Sequence, residues 1–364
     1  MRLKDICKIN SGKSIKACLI ADKDVEHSTP CFGGNGLRGF VSSPNQVGGN
    51  PIIGRVGAQC GNVHYCKEPF YATEHALVVT IEDGNVNPLW LCRKLESMEL
   101  GSYAEGAAQP VIAASKLLQL EITVPSLSEQ QAIVSRLDSA FAKIDAVKAN
   151  AENQLSDAKA LFQKELSKAM TPKEGWEEKK VGEIFNTYAG GTPIKTHKEY
   201  YEGGDIPWIR SGEVCCKYIT ECEMFITEEG MNNSSAKYYP ENTVLVAMYG
   251  ATAAQVGILK FEATSNQAVC GILPHKDFVP EYVYYWFSNI QEELAAQAQG
   301  GAQPNISQIK IKNVVIPYAP LSEQQAIVTH LDTLSEKLKA VEEKQKAVMA
   351  ECDAMKQALL REVF

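Results

Sequence analysis

The sequence predicts an α+β fold: two tandem globules of mixed strands and helices, joined by two long helices that form a coiled coil. Three observations carry this. Leu127-Ser-Glu-Gln-Gln-Ala-Ile-Val134 recurs letter for letter as Leu321 to Val328. Each copy follows a segment rich in Gly, Pro, Asn and short apolar runs, and each opens a stretch free of Gly and Pro with a seven-residue apolar spacing. Self-similarity of this kind is the mark of a duplicated unit.

The chain has 364 residues, enough for two or more cores. Its 45% hydrophobic and 22% charged content is ordinary for a globular protein. No apolar run approaches the roughly 20 residues that span a bilayer. The start, MRLKDICKIN, carries no apolar stretch after its charges, so a cytoplasmic location without membrane contact is expected. None of the 11 cysteines forms a C-x-x-C pair, which predicts reduced, mostly buried thiols. Cys215, Cys216 and Cys222 are the tightest group and are expected to serve packing rather than metal. The formal net charge is −8, its excess lying in the second globule and the last helix. Nucleic-acid binding would then need basic residues gathered on one face, or partners that supply phosphate contacts.

The first globule, 1–125, contains NPIIGRVG and HALVVTIE, which read as strands between turns. A helix is predicted over 88–100 from Pro88 at its first turn. In 126–171, Val134, Leu137, Phe141, Ile144, Lys148, Ala151, Leu155, Ala158 and Phe162 alternate steps of three and four. The second globule, 172–318, repeats the plan with TVLVAMYG, QAVCGIL and a helix over 280–298 begun by Pro280. In 319–364 the stripe is Leu331, Leu334, Leu338, Val341, Gln345, Val348, Cys352, Met355 and Leu359. Weaker matches sit in register with the octapeptide: Gly106-Ala-Ala-Gln-Pro110 with Gly300-Gly-Ala-Gln-Pro304, and Gly57 with Gly250. Ser128 and Ser322, each followed by Glu-Gln-Gln, are expected to cap the two helices, with Glu129, Gln130, Glu323 and Gln324 completing the caps. Forty residues of helix are roughly 60 Å long. A stripe of that length needs a partner, and pairing the two repeat helices supplies one.

Several motifs carry no catalytic reading. Gly34-x-Gly36-x-x-Gly39 matches a dinucleotide fingerprint, but a Pro follows where a helix should run and no acidic residue lies between Glu26 and Glu68. A flexible loop bringing backbone close to a ligand fits better. Asn87-Pro-Leu-Trp90 faintly resembles the tetrapeptide of amino-methylating DNA methyltransferases, yet its counterpart Val279-Pro-Glu-Tyr282 lacks the Asn. No P-loop is present, and the six histidines show no metal spacing. Glu74-His75 is set against Asn266-Gln267, an exchange that removes shared acid–base chemistry and keeps a hydrogen-bonding position. Base-edge readers vary in this way.

LSEQQAIVSRLD and LSEQQAIVTHLD, with GGAQPNISQIKIKNVVIP, YYEGGDIPWIRSGEV, SNQAVCGI, CFGGNGLRGF and AGGTPIK, resemble type I restriction-modification specificity subunits over the whole chain. The resemblance implies that the globules are target recognition domains, each reading one half of a split, asymmetric site in double-stranded DNA. It implies an antiparallel coiled coil that sets the spacing and docks methyltransferase subunits, two of them, with a restriction/translocase subunit as a further partner. No catalysis, metal or cofactor is expected in this chain, and S-adenosylmethionine, ATP and Mg belong to the partners. Two readers on a rod could then meet major grooves one turn, roughly 34 Å, apart. The candidate DNA contacts are Asn35, Arg38, Arg55, Asn62, Glu74 and His75 in the first domain. In the second they are Thr192, Lys195, Arg210, Ser211, Glu213, Gln255, Asn266 and Gln267. The expected coiled-coil and partner positions are Glu129, Gln130, Leu137, Ile144, Leu155, Glu323, Gln324, Leu331, Leu338 and Leu359. A coiled-coil scaffold without DNA binding, or the specificity module of another methyltransferase system, are the alternatives.

Overall fold

A computed structural model describes residues 1–106, 109–297 and 305–364, the side chain of Ala251 excepted. Ala107, Ala108 and the Gly300–Pro304 half of the weaker repeat match lie outside the described residues, as does the last predicted position of the 280–298 helix. The chain divides into two compact units, Met1–Asn153 with Gln345–Phe364, and Gln154–Lys344.

In the first unit, Cys7–Ser11, Ala76–Ile81, Asn50–Gly54 and Val63–Cys66 form an antiparallel sheet in that order. Beside it, Thr29–Gly33 pairs antiparallel with Gly36–Val41 and parallel with Tyr71–Ala72. The central strands are apolar on both faces (Ile52, Ile53, Leu77, Val78 and Val79 are all buried), as a covered sheet requires. A helix over Pro88–Ser97 closes one face, with Trp90, Leu91 and Leu95 in the core. Asn87 Oδ1 accepts from Leu89 N and Trp90 N, and Pro88 has no amide to leave orphaned. This helix ends three residues before the predicted 100, because Glu99 adopts a left-handed conformation that starts a short 3₁₀ turn.

The second unit holds a five-stranded sheet: Tyr218–Ile219, Val256–Leu259, Val244–Ala247, Val269–Ile272 and Thr187–Ala189. Ile206–Ile209 pairs antiparallel with Phe225–Ile226 and parallel with Thr264–Ser265, while Val315–Tyr318 pairs with Glu177–Lys180. The single helix expected over 280–298 is two, Pro280–Asn289 and Gln291–Ala296, broken at Ile290.

Backbone hydrogen bonds make the duplication explicit. Gly54 N to Asn62 O is matched by Ala247 N to Gln255 O, and Gly61 N to Gly54 O by Ala254 N to Ala247 O. Arg55 N to His75 O corresponds to Met248 N to Ala268 O, and Thr73 N to Phe32 O to Asn266 N to Ile209 O. These pairs shift the alignment by one residue. Thr73 corresponds to Asn266, Glu74 to Gln267 and His75 to Ala268, so the pairing of Glu74-His75 with Asn266-Gln267 is corrected.

The long helices run Leu127–Met170 and Leu321–Val363. In the first unit Arg136 pairs with Glu362, Asp145 with Lys356 and Lys148 with Asp353. Rising numbers on one helix meet falling numbers on the other, so the helices are antiparallel. Leu137, Phe141, Ile144, Cys352 and Leu360 fill the seam there. In the second unit Lys159 pairs with Glu342, and Leu166 and Met170 share a core with Ile327, Val328 and Leu331. Leu155, Leu338 and Leu359 are half-buried. Met355 does not belong to the stripe and is 49% exposed. A helix of 3.6 residues per turn drifts against a strict seven-residue repeat, and the seam passes to Lys356 and Leu360. The Lys356 ammonium lies 5.3 Å from the Phe141 ring centre, its stem covering the apolar groove.

The expected caps are also corrected. The first helix starts at Leu127, and Ser126 rather than Ser128 caps it. Ser126 Oγ accepts from Glu129 N at 3.4 Å, and Glu129 Oε2 accepts from Ser126 N at 2.9 Å, a reciprocal capping box. Those bonds from Ser126 hold the Glu129 carboxyl below the usual range. In the second copy Pro320 occupies the capping position, and Glu323 instead pairs with Lys173 at 2.8 Å. Gln130 and Gln324 lie neither on the coiled-coil seam nor on the surface, being fully buried against their own globules. Gln130 Oε1 accepts from Asn87 N while Nε2 donates to Asn85 O and Pro125 O. Gln324 repeats this with Val279 N, Asp277 O and Ala319 O.

Candidate nucleic-acid interface

In the first unit the turn Gly34-Asn35 joins the strands Thr29–Gly33 and Gly36–Val41. Gly36 has φ +89°, open to glycine, and a Cβ on Gly34 would meet Val56 O at 2.3 Å. The hairpin tip is thereby pressed onto the Arg55–Gly57 loop. Asn35, Arg38 and His75 line one cavity of about 500 Å³ with Val56 and Gln109, so three predicted contacts converge. Arg55 does not line that cavity. Its Nη1 donates to Ser11 Oγ at 3.0 Å, and its Nε is shielded with no partner among the described residues. Ser14 Oγ donates to Glu74 Oε1 at 3.5 Å, and His75 Nε2 stands 3.6 Å from the same oxygen. Glu74 Oε2 is shielded and has no partner among the described residues.

Asn62 does not join this group. It donates to Gln59 Oε1 and lines a separate cavity of about 640 Å³ with His64, Arg93, Glu96, Asp145 and Lys356. Burial there pushes the Glu96 carboxyl up against the opposing pull of Arg93, and burial pushes the His64 imidazole down.

In the second unit Ile209 continues into Arg210-Ser211 where the first has Phe32 followed by Gly33-Gly34, on the evidence of the equivalent amides of Thr73 and Asn266. Thr192 Oγ1 donates to Gln267 Oε1. Gln267 and Lys195 are exposed. The Arg210 guanidinium pairs with Glu213 and Glu223. Glu213 is mostly buried beside that guanidinium. Its side chain is 12% exposed, Oε2 accepts from Arg210 N at 2.8 Å and Oε1 from Glu223 N at 2.8 Å, so it supports Arg210. Asn266 also closes its own turn, with Oδ1 accepting from Ala268 N at 3.1 Å. Gln255, the structural counterpart of Asn62, has a shielded Oε1 with no partner among the described residues and lines a cavity of about 250 Å³ with Cys215, Cys216 and Tyr284. Cys215 and Cys216 are exposed, which corrects the packing role expected of them: both precede the edge strand Tyr218–Ile219 rather than lying in it.

Ser14 was missed by the sequence reading. It has no rare chemistry, and only the pairing of SGKSIK with AGGTPIK would have exposed it as the counterpart of Thr192. Among the described residues no group of three or more His, Cys, Asp or Glu could hold a metal ion, and no helix is long and apolar enough to cross a membrane.

The comparisons agree with this architecture. The family model of the type I restriction modification DNA specificity domain matches residues 1–156 and 173–349. The EcoprrI specificity subunit of Escherichia coli is 44% identical over 37% of this chain and 34% of its own length. The EcoR124I/EcoR124II specificity subunit of Escherichia coli is 32% identical over 57% of this chain and 52% of its own. The chain thus spans about a third to about half the length of these curated relatives. A solved structure from work on complex assembly and conformational transition of the type I R-M system covers 100% of this chain and 96% of its own, with TM-score 0.74 and 16% identity, a likeness of fold. With the family model matched once on each globule and running into each long helix, the chain belongs to the type I restriction-modification DNA specificity family.

Proposed function

We propose that this chain is the DNA-reading subunit of a type I restriction-modification enzyme, with no catalysis of its own. Each globule reads one half of a bipartite, asymmetric double-stranded site. The helix pair sets the gap and docks two methyltransferase subunits, and a restriction/translocase subunit is a further partner. S-adenosylmethionine, ATP and Mg act in those partners.

The observation that carries this reading is a contrast between the copies. At matching backbone positions the globules differ in hydrogen-bonding chemistry, with Gly33-Gly34 against Arg210-Ser211 and Glu74 against Gln267. The starts of the long helices are identical even where no core constrains them. Leu127, Ser128, Gln131 and Ala132 are exposed, as are Leu321, Ser322, Gln325 and Ala326. Divergent readers and identical outward surfaces suit two different half-sites and two copies of one partner. Arg38, Arg55 and Arg210 remain the proposed leading contacts, and Asn35, Asn62, Glu74, His75, Thr192, Lys195, Ser211, Glu213, Gln255, Asn266 and Gln267 are the further candidates.

The test is methylation mapping of a genome expressing this chain with its methyltransferase. Exchange of residues 172–318 for another recognition domain changes one half-sequence and keeps the gap. Deletion of one heptad from each long helix shortens the rod by roughly 10 Å, about three base pairs, and any surviving site keeps both halves. A domain exchange that leaves both halves intact refutes the reading.

A further inference from the structure

The two globules share one hydrogen-bonding frame around a four-residue turn, Thr73–Ala76 in the first and Asn266–Val269 in the second. The first residue is tied to the parallel strand through Thr73 N to Phe32 O at 2.9 Å and Asn266 N to Ile209 O at 3.0 Å. The turn closes through Ala76 N to Thr73 O at 3.0 Å and Val269 N to Asn266 O at 3.2 Å. A glycine docks on its far end, Gly12 N to Ala76 O and Gly190 N to Val269 O, each at 3.0 Å. A Cβ on either glycine would meet the backbone of the strand or turn beneath it, at 2.1 Å from Ala72 O and 2.3 Å from Asn266 O, so this approach is fixed in both copies. Two residues beyond each glycine stands a hydroxyl, Ser14 or Thr192, and it donates to the second residue of the turn, Glu74 or Gln267.

We infer that Glu74 and Gln267 are the corresponding base-discriminating positions of the two globules, Glu74 selecting a cytosine and Gln267 an adenine, an assignment that rests on the DNA-reading function proposed above. The frame is common and the hydrogen-bonding chemistry differs. An ionised carboxylate only accepts, whereas an amide accepts at Oε1 and donates from Nε2. In the major groove cytosine offers an amino donor, and adenine offers an amino donor beside an acceptor nitrogen. The Thr192 hydroxyl donates to Gln267 Oε1 and uses one of its lone pairs. The second lone pair and the Nε2 donors are left to match the adenine edge. In the first globule, the Glu74 side chain is 39% exposed and Oε1 takes one bond from Ser14, so the lone pair left on that oxygen can only accept, the chemistry a cytosine amino group meets.

The experiment uses the full chain in complex with its methyltransferase subunits and a DNA library randomised in both half-sites. Glu74→Gln changes one position of one half from C to A, with preference reversed on the order of 10-fold, and leaves the other half and the gap as they were. Gln267→Glu makes the reciprocal change in the other half. An unchanged preference overturns the assignment, and so does loss of all methylation by a variant that keeps the wild-type melting temperature. Should one exchange fail to fold, the other still decides. If exchanging residues 172–318 alters neither half, it is the DNA-reading function that fails.

Discussion

Gln324 offers a stringent test of the internal lock between helix start and globule. Gln324→Leu keeps the volume and removes three buried hydrogen bonds, at 2.9 Å from Val279 N, 2.9 Å to Asp277 O and 2.8 Å to Ala319 O. The side chain is 0% exposed, so water does not replace those partners. At about 1 kcal/mol net per neutral bond the loss is about 3 kcal/mol, roughly 150-fold in the unfolding equilibrium of the second unit. Gln130→Leu removes the same three bonds in the first unit and carries the same cost there. The neighbouring Gln325, the same residue type on the exposed side of the same helical turn, is the internal control, and Gln325→Leu stays within about 0.5 kcal/mol. Guanidinium unfolding followed by tryptophan fluorescence reads both units, since Trp90 lies in the first and Trp176, Trp208 and Trp286 in the second. Equal midpoints for Gln324→Leu and Gln325→Leu would refute the lock.

Three further outcomes follow from particular geometries. Gly61→Ala costs at least about 2 kcal/mol, because φ is +94° and a Cβ would meet Gly101 N at 2.2 Å, whereas Ala254→Gly at the matching left-handed position (φ +69°) trades a buried methyl for relieved strain and stays within about 1 kcal/mol. Unfolding midpoints of the two variants compare them directly. Lys148→Cys with Asp353→Cys is joined within one chain by a short thiol–thiol crosslinker, since the native side chains meet at 2.7 Å, while Lys148→Cys with Glu342→Cys is not, because Glu342 pairs with Lys159, about 16 Å further along the helix. A mobility shift on non-reducing gels distinguishes them, and crosslinking of the second pair alone would mean parallel helices. Burial holds the His64 imidazole below its ordinary 6.5, so protons bind the unfolded chain first and stability falls as pH drops through 6.5. His64→Phe flattens that slope in unfolding scans between pH 7.5 and 5.5 (a range set by about one unit either side of the ordinary value). An unchanged slope would mean the ring is solvated.

The duplication, the mixed globules and the long helices were legible in the chain because each is a property of local sequence. An exact octapeptide, a residue spacing of three and four, and a proline at a helix start need no knowledge of distant neighbours. The first stripe, Val134 to Phe162, is buried or half-buried throughout, and the second departs at Met355, where the drift of a real helix is too small to show in an ideal heptad. Cap identity was less legible. The sequence expectation fell on Ser128, and Ser126 is the cap because the point where the chain leaves the globule decides it. The two adjacent glutamines of each LSEQQ motif are indistinguishable in sequence, yet one is wholly buried and the other exposed, because the globule's own loop residues, Asn85 and Asn87 or Asp277 and Val279, come from over 40 positions away. The same reason governs the candidate interface. Register between the copies slipped by one residue at Glu74, since alignment by letters cannot weigh an insertion that backbone hydrogen bonds locate at once. Arg210 and Glu213 looked like independent readers until the fold set them side by side. Long-range partnership is decided by packing that brings residues together across the chain, and a linear pattern carries only the half of each contact that lies nearby.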